Sequence, residues 1–208
     1  MEKLKPLPID FDEAAHKYIW QPTGEVMPYS ATQICGWDAS ADKLANIAAT
    51  KDQWERRGNA VHGALEAHLT GSPFKQDDLD EFGEWINPLL DHAFFNDFEV
   101  LAAEYRMCDL KRGIGGSLDA LGIYKGKTVL VDLKTQKAGG RPYSTDRQMG
   151  AYCQLLMDHH LKLWIDECRT IWARPGKATV GKAQDPTRCS IAFSDAYADF
   201  IHFKGSEF

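Results

Sequence analysis

The chain has 208 residues, of which 44% are hydrophobic and 26% charged, as is usual for one globular domain of this length. No apolar run approaches the roughly 20 residues of a membrane-spanning helix, and none follows the N-terminal lysines as in a secretory signal. We therefore expect a cytoplasmic protein without a membrane partner. The net charge of −6, taken alone, argues against a protein that coats nucleic acid nonspecifically through many Lys and Arg contacts, but it does not exclude a nuclease.

The cysteines predict buried, reduced thiols. Their number is odd and no two form a CxxC pair, so a disulfide framework or a structural zinc site is not expected. They are Cys35, Cys108, Cys153, Cys168 and Cys189.

The first half of the chain predicts a β-hairpin followed by helices. Residues 16–27 alternate around Pro22 and Gly24, which supply the turn. Ser30 suits the N-cap of a short helix. Residues 40–70 have helical spacing with a break near Thr50, and residues 77–96 form a helix with an acidic start.

From residue 98 the pattern changes to strands. Three strands are predicted at 98–107, 116–124 and 128–134, with a turn between the last two. A Gly/Pro loop at 137–145, a helix at 146–163, a strand at 169–173 and a helix at 194–203 follow. We expect one domain with a mixed sheet, divided into an N-terminal part (1–97), a sheet core (98–175) and a C-terminal extension (176–208).

The strand at 128–134 carries the strongest chemical signal. Side chains alternate along a strand, so Asp132 and Lys134 protrude together from an otherwise apolar segment. Burial of such a pair is costly without a partner or a function. Antiparallel pairing through the turn places Asp119 opposite about residue 133, close to Asp132. Two neighbouring carboxylates repel unless a divalent cation lies between them, and oxygen ligands suit Mg²⁺ or Mn²⁺.

The triplet alone favours a different interpretation, because acid–x–lysine triplets are common in strands. Asp132 and Lys134 would then be a partly exposed structural ion pair on an edge strand. The motifs that flank the triplet decide between the two interpretations.

Four blocks occur in a fixed order along the chain. They are Gly58-x-x-x-His62, Gly116-x-x-Asp119, Asp132-Leu-Lys134 and Gln148-x-x-x-Tyr152. In this order they resemble the RecB-like exonuclease branch of the PD-(D/E)XK nuclease superfamily. The opening, with His16-x-Tyr18 and Pro28-Tyr-Ser30-Ala-Thr32, is similar to phage and mitochondrial single-strand exonucleases of that branch.

The resemblance implies an α/β fold. It would have a PD-(D/E)XK (restriction-endonuclease-like) core, in which helices flank a mixed central sheet, preceded by the N-terminal hairpin and helical region.

The resemblance also implies roles for the site residues. His62 would join Asp119, Asp132 and the backbone carbonyl of Leu133 as metal ligands. Lys134 would orient or deprotonate the attacking water or neutralise developing charge. Similar enzymes place a glutamate where Glu104 lies, near a second metal or a water, although an exposed strand acid is an equal alternative.

Downstream of the triplet, Gln148 and Tyr152 share one helical face. In relatives this face helps to hold the catalytic lysine or the phosphate; the alternative is an amphipathic helix with Tyr152 in the core.

Several cationic and aromatic residues near the expected site are candidates for DNA contact by charge and stacking. Each is equally compatible with a solvated surface residue. They are Arg57, Lys137, Arg141, Tyr143 and Arg147.

The predicted function is a Mg²⁺- or Mn²⁺-dependent DNA exonuclease. It would act on single strands or free ends in replication, recombination or repair, in a phage or bacterial setting. A structure-selective or sequence-specific endonuclease and a non-catalytic nucleic-acid-binding module are the alternatives. No iron–sulfur cluster is expected, since Cys168 and Cys189 lie far apart in the sequence. A helicase, polymerase or single-strand-binding partner is compatible with the absence of helicase motifs, and the oligomeric state is open.

Overall fold

In the computed structural model, which describes residues 2–205, a six-stranded mixed sheet carries helices on both faces, and a three-stranded sheet precedes it. The strands are β1 (Ile9–Asp12), β2 (Lys17–Trp20), β3 (Glu25–Val26), β4 (Tyr29–Ser30), β5 (Phe98–Asp109), β6 (Ile114–Tyr124), β7 (Lys127–Thr135), β8 (Glu167–Arg174) and β9 (Lys177–Val180). The α-helices are α1 (Ala31–Cys35), α2 (Ala41–Ala49), α3 (Lys51–Thr70), α4 (Gln76–Leu90), α5 (Asp146–His159) and α6 (Pro186–Gly205).

Strand β6 organises the main sheet. Along one edge it pairs antiparallel with β5. Along its other edge, its first residues pair in parallel with β4 and its last residues pair antiparallel with β7. Strand β7 continues into a parallel pair with β8, which pairs antiparallel with β9. The predicted mixed sheet is therefore present. Helices α3 and α4 cover one face, and α1, α5 and α6 the other.

The N-terminal predictions are largely confirmed. Strands β2 and β3 form the predicted hairpin, and the unpredicted strand β1 adds to its other edge. The side chain of Ser30 accepts the Gln33 N–H at 3.1 Å and so caps α1. The predicted break near Thr50 separates α2 from α3.

Three predicted helix boundaries are wrong. The helix at 77–96 ends at Leu90, because a 3₁₀ turn (Ala93–Asp97) follows in which the His92 ring accepts the Phe94 N–H. The helix at 146–163 ends at His159. The last helix begins at Pro186 rather than near residue 194, with proline at its first position, where a missing N–H costs nothing. The short strands β4 and β9 were not predicted.

The predicted register between β6 and β7 is wrong by one residue. Tyr124 pairs with Lys127, so only Lys125 and Gly126 form the turn, both with positive φ (50° and 78°). This is the two-residue hairpin geometry in which strand twist and turn agree. The last paired residues are Ala120 and Val131. If this register continued by one more residue, Asp119 would lie opposite Asp132.

Helices α5 and α6 cross at very short distance. A Cβ atom on Gly150 would lie 1.9 Å from the carbonyl oxygen of Cys189, so only glycine allows this approach. Three of the four fully buried thiols meet in the same core, and the Sγ atoms of Cys153 and Cys168 are 3.6 Å apart. The fold thus brings together cysteines that are distant in the sequence.

Within residues 2–205, no helix is both long and apolar enough to cross a membrane.

Candidate metal centre and active site

The candidate site lies where β6 and β7 stop pairing. The backbone ladder ends at Ala120 and Val131, and the carboxylate of Asp119 accepts the N–H of Leu133 beyond that point. A side chain thus replaces the missing strand partner. This bond fixes the position of a nearly buried carboxylate at the edge of the opening between the two strands.

Glu104 faces this opening from β5. Its neighbours Ala103 and Tyr105 pair with Ala120 and Leu118, which leaves Glu104 across from Asp119. The backbone φ of Glu104 is +43°, a left-handed conformation that residues other than glycine rarely adopt. Such strain costs about 1–3 kcal/mol and concentrates at functional sites.

Helix α3 places His62 above both carboxylates. The Nδ1 atom of His62 is 3.3 Å from Asp119 Oδ1 and 3.4 Å from Glu104 Oε1. Together the three residues offer ligand atoms that all lie within 4.8 Å of one another. The structure thus joins Glu104 to His62 and Asp119, whereas the sequence had indicated Asp132 as the third side-chain ligand.

Asp132 and Lys134 lie together on β7, as strand alternation predicts. Asp132 Oδ1 accepts a 2.8 Å bond from Lys134 Nζ. Among the residues described, Asp132 Oδ2 is buried without any hydrogen-bond partner, which is costly for a carboxylate oxygen. The side chains of Val131 and Leu133 enter the opposite core, against α3 and α4.

The group fits a divalent cation. It offers carboxylate oxygens and one imidazole nitrogen, a donor set that suits Mg²⁺ and Mn²⁺. On the neighbouring strand β7, Asp132 Oδ2 is a further carboxylate oxygen that no donor among the described residues satisfies.

Burial and the neighbouring charges together shift the pKa values of the site residues. Burial opposes a charged His62, but Asp119 and Glu104 outweigh it and raise the His62 pKa to about 10. Burial, reinforced by Asp119 and opposed by Lys134, raises the pKa of Asp132 to about 6. Burial also disfavours the charged Lys134, yet Asp132 and Asp119 raise its pKa above the usual value. The raised pKa values favour the cationic forms of His62 and Lys134, which offset part of the negative charge of the carboxylates.

Helix α5 contributes two further residues. Gln148 Nε2 donates a 2.6 Å bond to the hydroxyl of Tyr152, which is buried. Burial, together with the charges of Asp132 and Asp119, raises the Tyr152 pKa well above its usual value. Tyr152 is therefore a neutral hydroxyl beside the carboxylates, and Gln148 reaches the cleft.

An open cleft of about 1240 Å³ leads to this group. Helices α2 and α3, the strands that carry the candidate site and the loop after β7 all contribute to its lining. Its lining includes Lys43, Asn46, Ile47, Thr50, Trp54, Gly58, His62, Glu104, Leu133, Lys134, Tyr143 and Gln148. The lining by α2 and Trp54 was not predicted. A partial signal existed, because Lys43, Asn46, Ile47 and Thr50 recur at helical spacing without forming a core stripe.

The five predicted DNA contacts lie in different surroundings. Tyr143 lines the cleft, and Lys137 and Arg141 are exposed on the same loop. The Arg57 guanidinium lies 5.3 Å from the ring centre of Trp85. Arg147 donates a 2.8 Å bond to Asp38, which connects α5 to the segment after α1. Their roles in binding DNA remain predictions.

Comparison with known proteins defines the fold but not the family. No family model and no curated protein sequence matches the chain. A solved protein from Eubacterium rectale, named as a candidate exonuclease, is similar in structure with a TM-score of 0.53 at 12% identity, over 85% of this chain and 80% of that one. An alkaline exonuclease from Laribacter hongkongensis matches with a TM-score of 0.33 at 13% identity, over 86% and 92%. The first match shows a shared fold, that of a mixed α/β protein whose solved counterpart is named for nuclease activity.

Proposed function

We propose that this protein is a divalent-metal-dependent nuclease of the PD-(D/E)XK type, RecB-like branch, that hydrolyses DNA as an exonuclease. One observation carries the proposal: His62, Glu104 and Asp119 converge within 4.8 Å, beside an Asp132 oxygen that lacks a partner among the described residues. The site opens into a cleft that also exposes Lys134. The likeness in fold to a protein named as an exonuclease supports the same class of reaction.

His62, Glu104, Asp119 and Asp132 would hold the metal, with the carbonyl of Leu133 as a further candidate ligand. When bound, a divalent cation supplies Lewis-acid activation and charge neutralisation for phosphodiester hydrolysis. The anchoring of Asp119 by the Leu133 N–H keeps one carboxylate in place before any ligand arrives.

Lys134 acts on the phosphate or the water. Its ammonium is held by Asp132 at 2.8 Å and opens onto the cleft. From there it orients the attacking water or stabilises negative charge that develops on phosphate oxygens. Gln148, positioned by its bond to Tyr152, lines the cleft from the adjacent helix and can donate to the same phosphate.

The proposed substrate is DNA with single-stranded character or free ends. The test measures nucleotide release from linear and circular single-stranded DNA with Mn²⁺, and again with EDTA. We expect metal-dependent release from linear strands and a loss of about 100-fold or more in Lys134→Ala. Lys111→Ala, which changes an exposed lysine in the β5–β6 turn, serves as the matched control.

Each other outcome has a definite meaning. Cutting of closed circles at a comparable rate indicates an endonuclease. Wild-type cleavage by Lys134→Ala refutes the assigned site. DNA binding without any Mn²⁺-dependent hydrolysis identifies a non-catalytic module.

A further inference from the structure

Helix α2 has no core to pack against. None of its residues is buried, and Leu44 and Ile47 are 53% and 42% exposed. Trp54, in the first turns of α3, is 38% exposed. Large apolar side chains that remain exposed together on one element commonly mark a binding surface. This element adjoins the cleft that leads to the candidate metal centre.

One stripe of α2 faces that cleft. Lys43, Asn46, Ile47 and Thr50, spaced i, i+3, i+4 and i+7, all line it, so a single helical face is presented to its interior. Trp54 Nε1 donates a 3.1 Å bond to the Ile47 carbonyl, which connects the two helices and holds the indole beside this stripe. Leu44 is more exposed than Ile47 or Trp54 but does not line the cleft.

The loop after β7 contributes an aromatic residue to the same cleft. Tyr143, in the loop after β7, is 58% exposed and lines the cleft. Its ring packs edge-on against Trp172 with centroids 4.9 Å apart, which supports its position. The cleft therefore has apolar and aromatic surface from α2, from α3 and from the loop, and its lining also includes Glu104 and Lys134 of the candidate site.

Size and chemistry indicate the occupant. A volume of about 1240 Å³ exceeds the ~300–1000 Å³ of pockets for small ligands. Lys43 and Lys134 offer cations for a phosphate backbone. Exposed aromatic faces suit nucleobases, and such stacking is available only where bases are unpaired. In a duplex the bases are already paired and stacked, so Trp54 would have no base face to contact.

We propose that Ile47, Trp54 and Tyr143, which line one cleft, form a base-holding wall that binds the unpaired bases of a single nucleic-acid strand next to the candidate metal centre. The inference rests on the proposed nuclease function and assigns to these residues the selection of single strands. Trp54 is a specificity-determining residue, whereas His62, Glu104, Asp119 and Lys134 act at the phosphate.

The test compares strands with and without bases. With EDTA present to prevent cleavage, fluorescence anisotropy gives the affinity for a labelled 12-nucleotide thymidine strand and for an abasic phosphodiester of the same length. We expect the wild type to prefer the thymidine strand by about tenfold or more. In Trp54→Ala, the ratio of the affinity for the thymidine strand to that for the abasic strand should fall close to one. The affinity for the abasic strand itself should not change. Tyr143→Ala should reduce the preference in the same way.

Two further variants separate stacking from damage to the helix. Leu44→Ala removes an exposed apolar side chain of α2 that does not line the cleft, and should keep the wild-type preference. Trp54→Phe loses the hydrogen bond to Ile47 but keeps an aromatic face, and should retain most of it. The inference is overturned if Trp54→Ala keeps the wild-type preference for the thymidine strand, or if Leu44→Ala loses as much of that preference as Trp54→Ala does.

Failure of this inference and failure of the proposed function are distinguishable. If the wild type binds both strands equally, or neither, yet releases nucleotides from linear DNA with Mn²⁺, the nuclease stands and the base-holding wall is wrong. If base preference is present but Mn²⁺ supports no hydrolysis, the wall stands and the nuclease proposal fails.

Discussion

At the scale of single residues, the most informative position is Glu104. Its left-handed backbone places a carboxylate across from Asp119 and within 3.4 Å of His62 Nδ1. A strand that followed regular geometry would avoid the energetic cost of this conformation. The strain is maintained by pairing on both sides, at Ala103 and Tyr105. We therefore interpret Glu104 as a metal ligand instead of an exposed strand acid.

Glu104→Gln tests this role directly. The amide keeps the size of the side chain but removes its negative charge, so Mn²⁺ affinity measured by calorimetry should fall by at least about tenfold. Glu99→Gln changes an exposed glutamate on the same strand and should leave the affinity unaltered. Equal Mn²⁺ affinity in Glu104→Gln and the wild type would remove Glu104 from the ligand set.

At the scale of elements, the crossing of α5 and α6 depends on one glycine. The Cβ of an alanine at position 150 would lie 1.9 Å from Cys189 O, a backbone atom that cannot rotate away. Gly150→Ala should therefore force the helices apart and lower the free energy of unfolding by about 3 kcal/mol or more, as overpacking does in its severe cases. Urea denaturation measures the change.

Gly63→Ala provides the control for helix propensity. Gly63 also lies within a helix, α3, but a Cβ there meets nothing within 4 Å. That variant should be stabilised by about 0.5–1 kcal/mol, because alanine loses less backbone entropy. Similar changes in the free energy of unfolding for the two variants would contradict the claim that the close approach of α5 and α6 requires glycine at position 150.

The turn between β5 and β6 is connected to both of these helices through Asp109. Its carboxylate accepts the N–H groups of Lys111 and Arg112 at 2.8 and 3.0 Å and pairs with the Arg112 guanidinium. Arg112 in turn donates to Gln154 at 2.6 Å, and Gln154 donates to the Ser190 carbonyl at 2.9 Å. Burial opposes the ionisation of Asp109, but Arg112 and the backbone donors outweigh it and lower its pKa.

A lowered pKa makes this stabilisation pH-dependent. The ionised form is favoured by folding, so the contribution is complete above the unfolded pKa of about 3.9 and is lost as pH falls through the lower folded value. Asp109→Asn should cost about 1.5–3 kcal/mol at pH 7, with a smaller difference from wild type at pH 3. Urea denaturation at pH 7, 5 and 3 measures it, with exposed Asp195→Asn as the control. A constant difference at all three pH values would contradict this account.

At the scale of the whole molecule, the candidate metal centre joins α3 to the central sheet. His62 comes from the helix, whereas Glu104 and Asp119 come from two strands. A cation bound by all three can bind only the folded chain, and it removes the repulsion between the carboxylates. Metal binding should therefore stabilise the fold as a whole.

The expected stabilisation follows from mass action. At a hundredfold excess of Mn²⁺ over its Kd, the free energy of unfolding should rise by about 2.7 kcal/mol, and Tm by roughly 5–10 °C for a chain of this size. Thermal unfolding at several Mn²⁺ concentrations, with EDTA as reference, measures the shift. Asp119→Asn should abolish most of it; an unchanged shift would place the metal elsewhere.

Local rules allowed several features to be predicted from sequence. Alternation along residues 129–134 separated Asp132 and Lys134 from the apolar face, because successive side chains of a strand point to opposite sides. The cap at Ser30, the hairpin at β2 and β3 and the break near Thr50 also depend on neighbouring residues alone. The four ordered blocks indicated the elements that hold His62, Asp119, Lys134 and Gln148.

Tertiary structure decided the rest. The two-residue turn between β6 and β7 shifted the register of the two strands by one residue from the one that the sequence had indicated. Glu104 lies against His62 and Asp119 because pairing with β6 holds its backbone in a left-handed conformation. Trp54 lies beside the cleft-lining face of α2 because its indole N–H bonds the Ile47 carbonyl across a helix break. Gly150 and Cys189 meet although 39 positions separate them in the sequence. The sequence by itself determined which residues could perform the chemistry, because their places on strands and helices follow from local periodicity. Long-range packing decided which of these residues come together, because local periodicity carries no information about contacts between distant segments.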